Sequence, residues 1–210
     1  MISTRNFSAL PDAAALQRLC KSLAVLDAIN SPDWEYRYYS YNPQWGEGET
    51  LFEMRDGEGD QMLVLFRAEG CCISGYLHEY EQPDKTQVTR GLPAAFDEFM
   101  FGEPVNSIGT TFCLWYTPAH GWQTGLPAAE DGSDELLFIF DGQPETYTDW
   151  ANEYFVEDSG RKLIDGEAVA AIYRGEAVTK PLVRAITDEL DDWGQLATDL
   201  QEIGYPYQLA

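Results

Sequence analysis

Between Pro11 and Ile29 the apolar positions Leu16, Leu19, Leu23 and Leu26 recur at three- and four-residue steps, the spacing of one helical face. Pro11 suits the first turn, and Asp12 suits the positive end of the helix dipole. From Trp34 to Glu79 the pattern changes to aromatic and β-branched runs broken by turn residues, which predicts antiparallel strands joined by short hairpins. Four strands are expected, approximately Glu35–Tyr41, Glu49–Arg55, Gln61–Arg67 and Cys71–His78, with turns at Asn42-Pro43, at Asp56-Gly-Glu-Gly59 and at Glu69-Gly70. The run Met62-Leu-Val-Leu-Phe66 does not alternate, so it is expected to be a central strand covered on both faces.

Further along, Phe96, Phe99 and Met100 give Pro93–Phe101 helical spacing, and Thr110–Thr117 reads as another strand with a short return through Trp122. The remainder reads as helices. One is capped by Ser133 and ends before Gly142, and a second, Pro144–Phe155, carries Tyr147, Trp150, Ala151 and Tyr154 at i, i+3, i+4 and i+7. Shorter helices are expected at about Asp165–Arg174, at Lys180–Asp188 after a Thr179 cap, and at Asp192–Ile203 before Gly204. Together these predict a single α+β domain over residues 1–210. It would hold an antiparallel sheet of five or six strands, an N-terminal helix and a C-terminal helical layer, with residues 158–160 as an alternative subdomain boundary.

The strand pattern also sorts the aromatics. Alternation places Trp34, Tyr36 and Tyr38 on the core side of the first strand, while Tyr39, Tyr41 and Trp45 are candidates for an exposed contact patch.

Charge narrows the function. The chain has 36 Asp and Glu against 13 Lys and Arg, a formal charge of −23. A surface of that sign repels a phosphate backbone, so no nucleic-acid partner is expected. No apolar run approaches the ~20 residues of a membrane span, and Met1-Ile-Ser-Thr-Arg5 opens no hydrophobic leader, so a cytoplasmic protein with no membrane partner is expected. The acidity is also concentrated: thirteen carboxylates and no Lys or Arg lie between Arg90 and Arg161. Within that stretch Glu145, Asp149 and Glu153 fall at i, i+4 and i+8, one stripe of a helix, expected opposite Tyr147, Trp150 and Tyr154. Asp134, Glu135 and Asp141 on the preceding helix extend the candidate surface. A one-sign face can serve solubility alone, or it can attract a basic protein.

Motifs for catalysis and for metals are sparse. The sequence has no G-x-S-x-G, no P-loop, no G-x-G-x-x-G and no H-E-x-x-H, and its 2 histidines leave few candidates for a general base. Cys20, Cys71, Cys72 and Cys113 show no CxxC spacing and are expected to be reduced core residues. Although Cys71 and His78 share a spacing with Cys113 and His120, no zinc site is expected from it. The segment Asp56-Gly-Glu-Gly-Asp60 resembles the start of a calcium loop, but Gln61 and Arg67 stand where such a loop needs Gly and Glu, so it reads as a hairpin turn. No cofactor is expected.

The set Trp34-Glu-Tyr-Arg-Tyr-Tyr39, Thr111-Phe-Cys-Leu-Trp115, Gly121-Trp-Gln-Thr-Gly125, Gly142-x-Pro-x-Thr-Tyr-x-x-Trp150 and Ile203-Gly-Tyr-Pro206 resembles a family of bacterial proteins to which no reaction is assigned. Locally, Leu92-Pro-Ala-Ala-Phe-Asp-Glu-Phe-Met100 is similar to a helix of the SUKH-type immunity superfamily, α+β proteins that neutralise secreted bacterial toxins. After that helix the sequence has Phe101-Gly-Glu-Pro104 where the superfamily has Asn-Gly-Gly. The class expected is therefore a non-enzymatic acidic interaction protein that binds a basic protein partner, as an inhibitor or toxin-immunity factor would. The alternative is a glycosidase-like hydrolase using paired carboxylates in a cleft.

Overall fold

The computed structural model describes residues 1–157 and 159–209. It is α+β. Helix α1 (Ala13–Asn30) is followed by a 3-10 turn (Trp34–Tyr36) and the strands β1 (Tyr39–Gly46), β2 (Glu49–Arg55), β3 (Gln61–Arg67) and β4 (Gly70–Tyr76). Short helices α2 (Lys85–Val88), α3 (Asp97–Phe101) and α4 (Val105–Ile108) lead to β5 (Phe112–Thr117) and β6 (Gly121–Thr124). Then come α5 (Ser133–Leu137), α6 (Pro144–Ala151), α7 (Gly166–Tyr173), β7 (Val178–Thr179), α8 (Lys180–Ile186), α9 (Trp193–Ile203) and β8 (Tyr207–Gln208). The six strands β1 to β6 form one sheet in chain order, with antiparallel pairing through β2–β6. The short strands β7 and β8 pair in parallel.

The chain divides into two compact units: residues 1–17 with 44–141, and residues 18–43 with 142–210. The alternative boundary expected at residues 158–160 falls on Asp158, which lies outside the described residues.

In the first unit, β3 lies inside the sheet and Met62 to Phe66 are all buried, as the non-alternating run predicts. Asp56 closes the β2–β3 hairpin, its Oδ1 accepting the backbone N–H groups of Glu58, Gly59 and Asp60. Cys72 and Cys113 lie on adjacent strands with their sulfurs 3.9 Å apart, in a core with Phe96, Met100, Val105 and Trp115. All four cysteines are free and buried, and burial pushes the Cys71 and Cys72 thiols well above their ordinary range. A thiol-specific aromatic disulfide reagent at pH 8 should therefore label none of them in the native protein and all four in denaturant.

Several sequence expectations are corrected by position. Ser133 does not cap its helix. Gly132, in the left-handed region at φ 65°, holds the cap position, and Ser133 is the first helical residue, its N–H donating to Asp131 Oδ1 at 3.0 Å. That helix is also short, passing into a 3-10 turn at Phe138–Asp141. Likewise Pro93–Phe101 begins as a 3-10 turn, Ala94–Phe96, before α3.

The second unit carries the larger correction. Trp34–Tyr36 is a 3-10 turn, and the strand starts only at Tyr39 and continues through Asn42-Pro43, the expected turn, to Gly46. Since β1 is an edge strand, Pro43 can sit in it without removing an interior ladder bond. The inward parity is consequently Tyr39 and Tyr41, both buried, while Trp34 and Tyr36 are exposed. Because side chains alternate with period two, the shift exchanges the aromatics expected inside for those expected outside.

Candidate functional site

In α6, Pro144 occupies the first turn, where a missing N–H costs nothing, and Tyr147 and Ala151 form the fully buried stripe. The helix does not continue to Phe155 as an α-helix. Asn152–Val156 forms a π turn, with the Glu157 N–H donating to Asn152 O at 2.9 Å. The wider turn withdraws Tyr154 from the buried stripe. Tyr154 is 47% exposed and Trp150 only partly buried, which corrects the expectation that both face the core.

Glu145, Asp149 and Glu153 are exposed, and none makes an ion pair among the described residues. The stripe expected from spacing is thus solvent-facing on a helix anchored by Tyr147. Each carboxylate precedes by one residue a member of the parallel row Thr146, Trp150 and Tyr154, so the acidic and aromatic rows lie about 100° apart around the helix.

The aromatic row is part of a larger cluster that the sequence analysis missed. Trp150 and Tyr154 stack with centroids 5.2 Å apart and an interplanar angle of 13°. Tyr38 meets Trp150 edge-on at 4.8 Å and Tyr154 at 5.1 Å, and Phe155 meets them at 5.8 and 4.9 Å. The guanidinium of Arg161 lies 5.7 Å from the Phe155 ring centre. Tyr38, from another part of the chain, carries no local signal that it joins this row. Only the i, i+4 pair Trp150–Tyr154 was visible in the sequence.

Beneath this cluster is a buried polar group. Asp27 is fully buried, and its Oδ2 accepts the N–H groups of Tyr38 at 2.7 Å and Tyr39 at 3.1 Å. Its Oδ1 has no hydrogen-bond partner. Burial pushes this carboxyl up to about 7, although the two N–H groups and Arg37 act in the opposite direction. The same carboxylate, with desolvation, holds the buried phenols of Tyr39 and Tyr147 well above their ordinary range.

The other three expected site residues belong to the first unit. Asp134 and Glu135 stand in the first turn of α5, and Asp141 ends the 3-10 turn. Glu135 accepts the Tyr80 hydroxyl. Nearby, a concavity of about 320 Å³ is lined by Thr4, Arg5, Tyr80, Glu130, Asp131 and Asp134. Paired-carboxylate chemistry would look to this pocket. Here, however, Asp131 is engaged on both oxygens: Oδ2 accepts the Thr4 hydroxyl at 2.5 Å, and Oδ1 accepts the Ser133 N–H. Its role is to tie the N-terminal segment to α5.

Comparison with known protein families, curated proteins and solved structures returned no match. Among the described residues no group of three or more His, Cys, Asp or Glu is placed to hold a metal ion, and no helix is long and apolar enough to cross a membrane.

Proposed function

We propose that this protein is an acidic interaction protein that binds a basic protein partner through the exposed face of α6, as an inhibitor or immunity factor does. The observation that carries this reading is the row Glu145, Asp149 and Glu153: three exposed carboxylates on a rigid support, with no Lys or Arg between Arg90 and Arg161 to neutralise them. Like charges at i, i+4 cost about 0.2–0.5 kcal/mol per pair in a helix, so the arrangement slightly opposes folding while presenting a field to a cationic surface.

The triple variant Glu145→Gln, Asp149→Asn, Glu153→Gln is expected to fold as well as the parent, or slightly better. In stopped-flow mixing with a blocked octa-lysine peptide at low salt, its association rate should fall about tenfold. A control replaces three exposed carboxylates elsewhere, Glu47, Glu58 and Glu98, by Gln. Both variants remove three of 36 acids, so equal rates for the two would reduce the stripe to a contribution to general charge. Loss of the difference at salt concentrations that shorten the Debye length to about 3 Å should accompany a positive result.

A further inference from the structure

The aromatic cluster beside the stripe has no part in that electrostatic reading, yet its geometry is specific. Large exposed aromatic rings are uncommon on a surface unless they have a use, because each leaves apolar area in water. Tyr154 presents about half its surface to solvent, stacked on Trp150 and braced by Tyr38 and Phe155. The negative ring faces of such a shelf attract cations, and a planar guanidinium can also stack on them, which an ammonium cannot. At one end of the cluster the chain already does this, with Arg161 held over Phe155. Beside the exposed end stand Asp149 and Glu153, each one residue before a shelf ring, where they complement an incoming positive charge.

We infer that the shelf of Tyr154, Trp150 and Tyr38 seats an arginine side chain of the basic partner, its guanidinium stacked on the rings and its charge met by Asp149 and Glu153. This rests on the proposed function and adds the partner chemistry: an arginine-bearing segment, distinguished from an equally charged lysine segment by the rings and not by the stripe.

The test compares blocked octa-arginine and octa-lysine peptides, titrated against the full chain and followed by tryptophan fluorescence and calorimetry. The parent should bind the arginine peptide at least about threefold more tightly than the lysine peptide. Tyr154→Leu should abolish that preference while leaving the lysine affinity within twofold. Tyr154→Phe, which keeps the ring, should restore it. The charge-stripe triple variant should weaken both peptides together. If the parent does not separate the two peptides, or if Tyr154→Leu retains the preference, the inference is overturned. If the triple variant binds both peptides as the parent does, the stripe reading fails, while the arginine-to-lysine ratio still decides the shelf. Self-association of the parent that Tyr154→Leu removes, with no change in peptide preference, would assign the shelf to a second copy and also overturn the inference.

Discussion

Asp27→Asn should flatten the dependence of stability on pH and make the protein more stable than its parent at pH 8. The carboxyl is raised from 3.8 to about 7 in the folded state, so between those values the native protein keeps a proton that the unfolded chain has released. Stability from this group is fully present below about 4, declines as pH rises, and is lost once pH passes about 7. At 1.36 kcal/mol per unit the loss is roughly 4 kcal/mol at pH 8. Asparagine carries no charge to desolvate, and its carbonyl can still accept the N–H groups of Tyr38 and Tyr39. Its amide replaces the oxygen that has no partner, and an unsatisfied buried amide costs about 1–3 kcal/mol, so the net gain at pH 8 should be a few kcal/mol at most. Urea unfolding at pH 5, 6, 7 and 8 measures both curves. Parallel curves for parent and variant would show that Asp27 does not titrate in this window.

The opposite outcome is expected at Arg37. Its Nη2 meets Asp199 Oδ2 at 2.5 Å with both side chains less than a tenth exposed, and its Nε and Nη2 also donate to Ser31 O and Pro32 O at 2.9 and 2.8 Å. Arg37→Ala would leave a buried carboxylate with only Gln195 Nε2, at 3.0 Å, as a remaining partner, and would orphan two carbonyls. Removing one member of a buried pair costs about 3–5 kcal/mol, a large part of the stability of an ordinary domain. Arg37→Lys should recover little, since an ammonium cannot reproduce the fork that reaches all three acceptors. Arg37→Met combined with Asp199→Leu removes both charges and should lose less than Arg37→Ala alone. Chemical denaturation of the four proteins orders them. A double variant less stable than Arg37→Ala would contradict this account.

These two residues also explain where the sequence was readable. Strands β2 and β3 were legible to the residue because their patterns are bounded by their own turns, and α1 because its leucines repeat over several turns. The start of β1 was not. Its position depends on Asp27, 11 and 12 residues earlier, which binds the N–H groups of Tyr38 and Tyr39, and on Arg37, which reaches 162 residues forward to Asp199. Neither partner leaves a trace in a local window, so alternation alone set the wrong parity for five aromatics. At the site, exposure of Glu145, Asp149 and Glu153 followed from helical spacing. The aromatic shelf did not, because the π turn that frees Tyr154 has no signature in side-chain periodicity, and Tyr38 arrives from a distant segment.

That π turn has a consequence for how the surface could change over evolutionary time. A π turn holds one residue more than the α turn it replaces, so it is equivalent to a single-codon insertion retained within a helix. Deleting one residue there would close the turn to α geometry and rotate whatever follows by about 100°. The ring now at position 154 would change its facing without any side chain being substituted, and the following segment, held by the Ile164 N–H bond to Asn152 Oδ1, would have to shift with it. Descendants of this chain could therefore gain or lose the exposed shelf in one step of length, leaving the buried contacts of Tyr147 and Ala151, which precede the turn, as they are.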